Sequence, residues 1–151
     1  MTKLRSLLLT CLVGAILLPG TSWANDPEAV IKYRKAVYTS LKGHMGAVAG
    51  ILRGGLVDYS GHIADHAVAI QNAARIIPSM FPEGSDFGDT DAKENIWTDR
   101  AGFEKAAKRL EEASGVLVQA AQSGNMKAVG GAVGKVGGAC KGCHDDYRVS
   151  N

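Results

Sequence analysis

Val129-Gly130-Gly131-Ala132-Val133-Gly134-Lys135-Val136-Gly137-Gly138-Ala139-Cys140-Lys141-Gly142-Cys143-His144 is the stretch from which the rest of the chain can be read. Starting one turn earlier at Met126, apolar residues recur at Val129, Val133, Val136, Cys140, Cys143 and Tyr147. Steps of three and four keep returning to one face of an α-helix, as in helices that pack side by side. Both cysteines lie on that stripe, and His144 falls on the adjoining face. Cys140-Lys141-Gly142-Cys143-His144 has the spacing of covalent haem c attachment. Each thiol can bond one vinyl group, and the imidazole beside them can reach the iron as an axial ligand. Gly130, Gly131, Gly134, Gly137, Gly138 and Gly142 are poor helix formers, each costing about 1 kcal/mol relative to alanine. Their presence predicts close approach of a flat macrocycle or of a neighbouring helix.

The same rhythm runs through the chain upstream. Asp26-Pro27-Glu28 is a helix start, with a capping acid, proline at the first position and a carboxylate in the first turn. The stripe Val30, Val37, Leu41, Val48 and Leu52 predicts a first helix over 27–52, ended by Gly54-Gly55. Ile63, Ala67, Ile70, Ala74 and Ile77 predict a second, from Asp58 or Ser60 to Ile77, with Pro78 ending it. Phe103, Ala106, Leu110, Ala113, Leu117 and Ala120 predict a third over 99–122, closed by Gly124. The fourth spans 125–148. Between the second and third, residues 79–96 are rich in turn formers and read as one long surface connection. It is expected to carry a helical turn near Ala92–Asn95 and to be pinned down by Phe81, Phe87 and Trp97. No segment alternates as a strand does. The expectation is an all-α, antiparallel four-helix bundle.

The first 24 residues read as a signal peptide: Lys3 and Arg5, an apolar run from Leu7 to Leu18, the break Pro19-Gly20, and cleavage after Ala24. An uncleaved anchor fits less well, because twelve apolar residues fall short of the ~20 needed to span a bilayer. A lipoprotein signal at Cys11 lacks the small residues usually found before the cysteine. Residues 25–151 then form one domain with 15 basic and 15 acidic side chains. That balance gives no reason to expect nucleic-acid binding, and no second apolar run suggests a membrane span. Cys11 leaves with the signal, so the two remaining cysteines are those of the motif. A disulfide between them would enclose too short a loop to stabilise much.

The seven residues after His144 offer neither methionine nor histidine, so any second protein ligand to iron is expected upstream. Met45 and His44 on the first helix are candidates by position, although methionine on a helix stripe is more often core filling. His62 and His66 stand four apart, a chelating interval with no clear third ligand. A thioredoxin-like role for the cysteines would need a preceding strand and a helix N-terminus. Neither is present.

Four segments resemble the cytochromes c′ and their low-spin relatives: Ile31-Lys32-Tyr33-Arg34-Lys35-Ala36-Val37-Tyr38, Phe81-Pro82-Glu83-Gly84-Ser85, Ala92-Lys93-Glu94-Asn95-Ile96-Trp97, and Cys140 through Arg148 with its acidic-Tyr-Arg ending. The resemblance implies one covalent haem c per chain on Cys140 and Cys143, with His144 as axial ligand. It puts Arg34 near the haem propionates and Arg148 on the proximal side. The residue four after the arginine faces the distal side of the haem and is an iron-ligating methionine in the low-spin relatives. Here it is Tyr38. A five-coordinate, mostly high-spin iron is therefore expected, its open side crowded by Val37, Tyr38 and Leu41. Small diatomics such as NO and CO are the expected ligands. The resemblance further implies a periplasmic homodimer joined through the first two helices, with gas binding, electron exchange with redox partner proteins, or both. A low-spin electron carrier is the alternative that the missing methionine opposes. An NO-reducing or peroxidatic enzyme is a second alternative, opposed by the lack of a placed distal acid–base pair.

Overall fold

The computed structural model describes residues 26–150. The signal peptide expected over residues 1–24, and its cleavage site, lie outside that range. Four long helices dominate: α1 (Pro27–Arg53), α2 (Ile63–Ile76), α4 (Arg100–Gln122) and α5 (Met126–Tyr147), with a single short turn α3 (Asn95–Thr98) before α4. The ends are chemically determined. Asp26 accepts from the Glu28 amide at 3.2 Å, Asp99 from Gly102 at 3.1 Å, and Asn125 from Ala128 at 3.0 Å, each satisfying an amide that has no partner within the helix. Gly55 and Gly124 take positive φ just past α1 and α4, where a side chain would be strained. A 3-10 helix over Val57–His62 leads directly into α2.

The helices pack in sequence, α1 on α2, α2 on α4 and α4 on α5, whereas α1 and α5 barely touch. This is the antiparallel four-helix bundle. Val48, Ile63, Ile70, Phe103, Leu117, Val129 and Val136 are fully buried and fill its centre. At the end carrying the cysteine motif, the core continues as a chain of edge-to-face rings. Trp97 meets Phe81 at 6.0 Å, Phe81 meets Phe103 at 4.9 Å, and Phe103 meets Tyr147 at 5.5 Å.

The connection after α2 begins with a 3-10 turn over Pro78–Met80, and Met80, Phe81 and Ser85 are buried. Phe81 and Trp97 act as the expected anchors, with Trp97 Nε1 donating to the Pro82 carbonyl at 2.9 Å. Phe87 does not: it is 61% exposed. The extra hold comes from a charged residue. Arg34 of α1 is only 3% exposed and reaches across to the loop. The helical turn forms at Asn95–Thr98, slightly later than the spacing predicts.

The far end of this connection secures the end of α5. Ala92 and Arg148 form an isolated antiparallel bridge, with Lys93 N donating to Tyr147 O at 3.1 Å and Val149 N to Asp91 O at 2.8 Å. Lys93 Nζ and Asn95 Nδ2 donate to the carbonyls of Asp145 and Asp146. The last carbonyls of a helix lack internal partners, and these contacts supply them.

α4 and α5 are tied where Tyr147 donates to Asp99 Oδ2 at 3.0 Å. Gly102 lies under this pair, and a Cβ there would run into both the Asp99 carboxylate and the Tyr147 hydroxyl. Gly102→Ala is therefore expected to destabilise the protein by about 1–2 kcal/mol, overpacking outweighing alanine's better helix propensity. Gly134→Ala meets nothing within 4 Å and should be neutral or stabilising by up to about 1 kcal/mol. Urea midpoints of the two variants check both signs.

Candidate functional site

The cysteine motif occupies the last two turns of α5, which the loop contacts above hold in place. Cys140 and Cys143 are free thiols and half-buried. Burial pushes both thiols above the usual range. That is the reverse of a redox pair, whose nucleophilic thiol is held low. His144 is half-buried one residue on, and its pKa is lowered, first by burial and then by the nearby Arg148 guanidinium. An imidazole kept neutral has a lone pair available for a metal.

Tyr38 stands half-buried on α1. Burial pushes its phenol far above the usual value, the Cys143 and Cys140 thiols add to the rise, and Arg34 opposes it. Tyr38 on α1 is thus close enough to both cysteines of α5 for their charge to bear on it. This is the side of the bundle where the helices do not close on each other. The six glycines of α5 do not admit a neighbouring helix: a Cβ at any of them would meet nothing within 4 Å. Among the described residues, no helix of this chain packs against these glycines.

Two thiols one turn apart and an imidazole beside them, its pKa lowered, make a donor set that fits haem c. Cys140 and Cys143 would hold it by thioether bonds and His144 would ligate the iron.

Arg34 lies one turn before Tyr38. Its Nη1 donates to Met80 O at 3.4 Å and Ser85 Oγ at 3.3 Å, and its Nη2 to Ser85 O at 3.2 Å and Thr90 Oγ1 at 2.9 Å. The guanidinium carbon lies 4.2 Å from the centre of the Phe81 ring. Arg34 is thus a tie between α1 and the loop, a role with no local signal in the chain. Arg148 is exposed at the end of α5 with extended backbone, and close enough to His144 to influence its charge.

Among the rivals, Met45 is half-buried against the core. His62 does not join His66; it lies edge-on to Tyr59 at 5.6 Å between ring centres. His66 instead meets His44 of α1, with Nδ1 atoms 2.9 Å apart.

Fold and site together define a four-helix protein built to carry covalent haem on its final helix. The family model for Cytochrome C′ matches residues 29–148, and the chain belongs to the cytochrome c′ family. It is a haem protein, with haem c as its cofactor. It is 32% identical over 147 residues to cytochrome c′ of Rhodospirillum rubrum, a match spanning 97% of this chain and 99% of that one. It is 36% identical over 124 residues to cytochrome c′ of Pararhodospirillum photometricum, spanning 82% and 98%. The crystal structure of cytochrome c′ from Rubrivivax gelatinosus superposes with a TM-score of 0.76 at 33% identity, covering 82% of this chain and 98% of that one. The nitric oxide complex of a cytochrome c prime mutant from Alcaligenes xylosoxidans superposes at 0.78 and 27% identity, covering 85% and 99%.

Proposed function

We propose that this is a periplasmic gas-binding cytochrome, with one haem c on Cys140 and Cys143, His144 as axial ligand, and Tyr38 over the opposite face. The observation that carries the reading is the residue at position 38: a phenol held protonated by its surroundings, in place of a thioether. A five-coordinate, mostly high-spin iron keeps one position for a small neutral diatomic such as NO or CO. Val37, Tyr38 and Leu41 crowd that side, which favours diatomics over larger ligands. A protonated phenol is a poor base at neutral pH, so the residues favour binding, with electron exchange as a companion role, over catalysis.

Cys140, Cys143 and His144 fix the group on α5, and Arg148 helps keep His144 neutral on the proximal side. Arg34 places positive charge near the propionates while it secures the loop. The relative that forms a nitric oxide complex supports the choice of ligand. Residues 1–24 would direct export to the periplasm and be cleaved off after Ala24; among the described residues no helix is long and apolar enough to cross a membrane. A homodimer through α1 and α2 would use their exposed apolar residues, Tyr33, Val68 and Ile76.

Optical spectra of the purified protein, ferric and ferrous, before and after CO, test the reading. High-spin spectra and CO uptake without displacement of a protein ligand are expected. A low-spin spectrum that CO leaves unchanged would overturn it.

A further inference from the structure

We propose that His44 and His66 form a second metal site, separate from the haem motif, which takes a divalent transition-metal ion with tetragonal preference, Cu(II) above all. The two residues come from different helices, α1 and α2, and their Nδ1 atoms face each other at 2.9 Å. Their rings are tilted by 50° with centres 5.2 Å apart. Two nitrogens facing at this distance cannot both present lone pairs without something between them. Without a metal, one Nδ1 must donate a proton and the other accept it. Once that proton is lost to solvent, both lone pairs can bind a metal ion that lies to one side of the line between them.

The spacing also selects among metals. With metal–imidazole bonds of about 2.05 Å, a 2.9 Å separation subtends about 90° at the ion. That is the edge of a square-planar or octahedral site. A tetrahedral site would spread the nitrogens to about 3.3 Å. Two imidazoles at a right angle suit Cu(II) and Ni(II), and Cu(II) stands highest in the affinity order of the divalent series.

The site is reachable. His66 lines a groove of about 320 Å³ with Ala47, Ile51, Leu56, Tyr59 and His62. No carboxylate lines the groove, so hard cations such as Ca²⁺ and Mg²⁺ find no anionic oxygen donor there. Six residues separate His44 from Tyr38 on α1, which at 100° per residue turns it by roughly 120° from the haem side. Loading this site should therefore leave the haem environment alone.

Titration of the haem-loaded mature protein with CuCl₂, followed by calorimetry and by electron paramagnetic resonance, tests the proposal. Saturable binding of one Cu(II) per chain is expected, with hyperfine splitting from imidazole nitrogens and no change in the haem absorption bands. His44→Gln and His66→Gln should each weaken it at least about tenfold, and acid should abolish it, because protons compete for the same lone pairs. Circular dichroism establishes that the variants are folded. If one is not, the nitrogen splitting in the wild-type protein decides. Copper signals showing oxygen coordination alone, absence of saturable binding, or binding that survives His44→Gln with His66→Gln would each overturn the proposal.

Discussion

Arg34→Ala is expected to lower the unfolding free energy by about 3 kcal/mol, a drop in Tm of about 10 °C for a domain of this size. The guanidinium is 3% exposed and serves four acceptors on a loop 46 to 56 residues away, two of them backbone carbonyls. Three of the four contacts are 3.2–3.4 Å, long for charged hydrogen bonds, so no single one dominates. The stacking on Phe81 at 4.2 Å adds about 1–2 kcal/mol where water is excluded. Against these gains stands the cost of burying the cation, and burial does hold the Arg34 pKa below its usual value. Alanine removes the cation and its cost, but leaves the Met80 and Ser85 carbonyls without donors beside a cavity. Arg34→Lys separates the contributions. It keeps the charge but cannot fork to Ser85 and Thr90 together, so about half the loss should remain. Guanidinium unfolding of the three proteins gives the values, and amide exchange should quicken at residues 80–90 in Arg34→Ala. A loss below about 1 kcal/mol would mean that the ring chain alone holds the loop.

The bundle was legible because burial and helical period say the same thing along each segment. Ile63, Ala67, Ile70 and Ala74 are buried at the spacing that predicted α2, and Phe103, Ala106, Leu110 and Leu117 at the spacing that predicted α4. Local chemistry at Asp26, Asp99 and Asn125 placed the helix starts to within a residue or two. The motif was legible because its three reactive groups are adjacent in sequence. Contacts between distant segments were not. Nothing near Arg34 in the chain points to Ser85 or Thr90, since a buried arginine and an exposed one look alike until the loop is folded over it. Aromatic character alone does not place Phe87: the loop turns at Gly84 and Gly88, both at positive φ, and leaves its ring in solvent. The interval of four between His62 and His66 is visible in sequence, whereas the contact of His66 with His44 exists only once α1 and α2 have packed. The glycines of α5 were read as sites of close approach, and among protein neighbours there is none.

Tyr38→Met is expected to convert the ferric protein from a mostly high-spin to a low-spin spectrum and to weaken CO binding at least about tenfold, or 1.4 kcal/mol. The argument turns on what each side chain offers at neutral pH. The Tyr38 phenol is kept protonated, chiefly by burial. In that state it is a weak donor atom for a metal and fills space without competing for the iron. A methionine thioether has no proton to lose and is an established axial ligand of c-type haem. Methionine is also unbranched and flexible enough to fill the volume that tyrosine vacates. Any gas would then have to displace a protein ligand, and the lost affinity measures the strength of that ligation. Tyr38→Phe controls for shape. It removes the hydroxyl but keeps the ring, so the spectrum should stay high-spin and CO affinity should change little. Tyr38→Ala should instead speed CO uptake, because no ring has to move aside. A Tyr38→Met protein that remains high-spin would show that position 38 does not reach the iron. The open face would then have to be sought elsewhere along α1, with Leu41 and Met45, one and two turns further along, the next residues to replace.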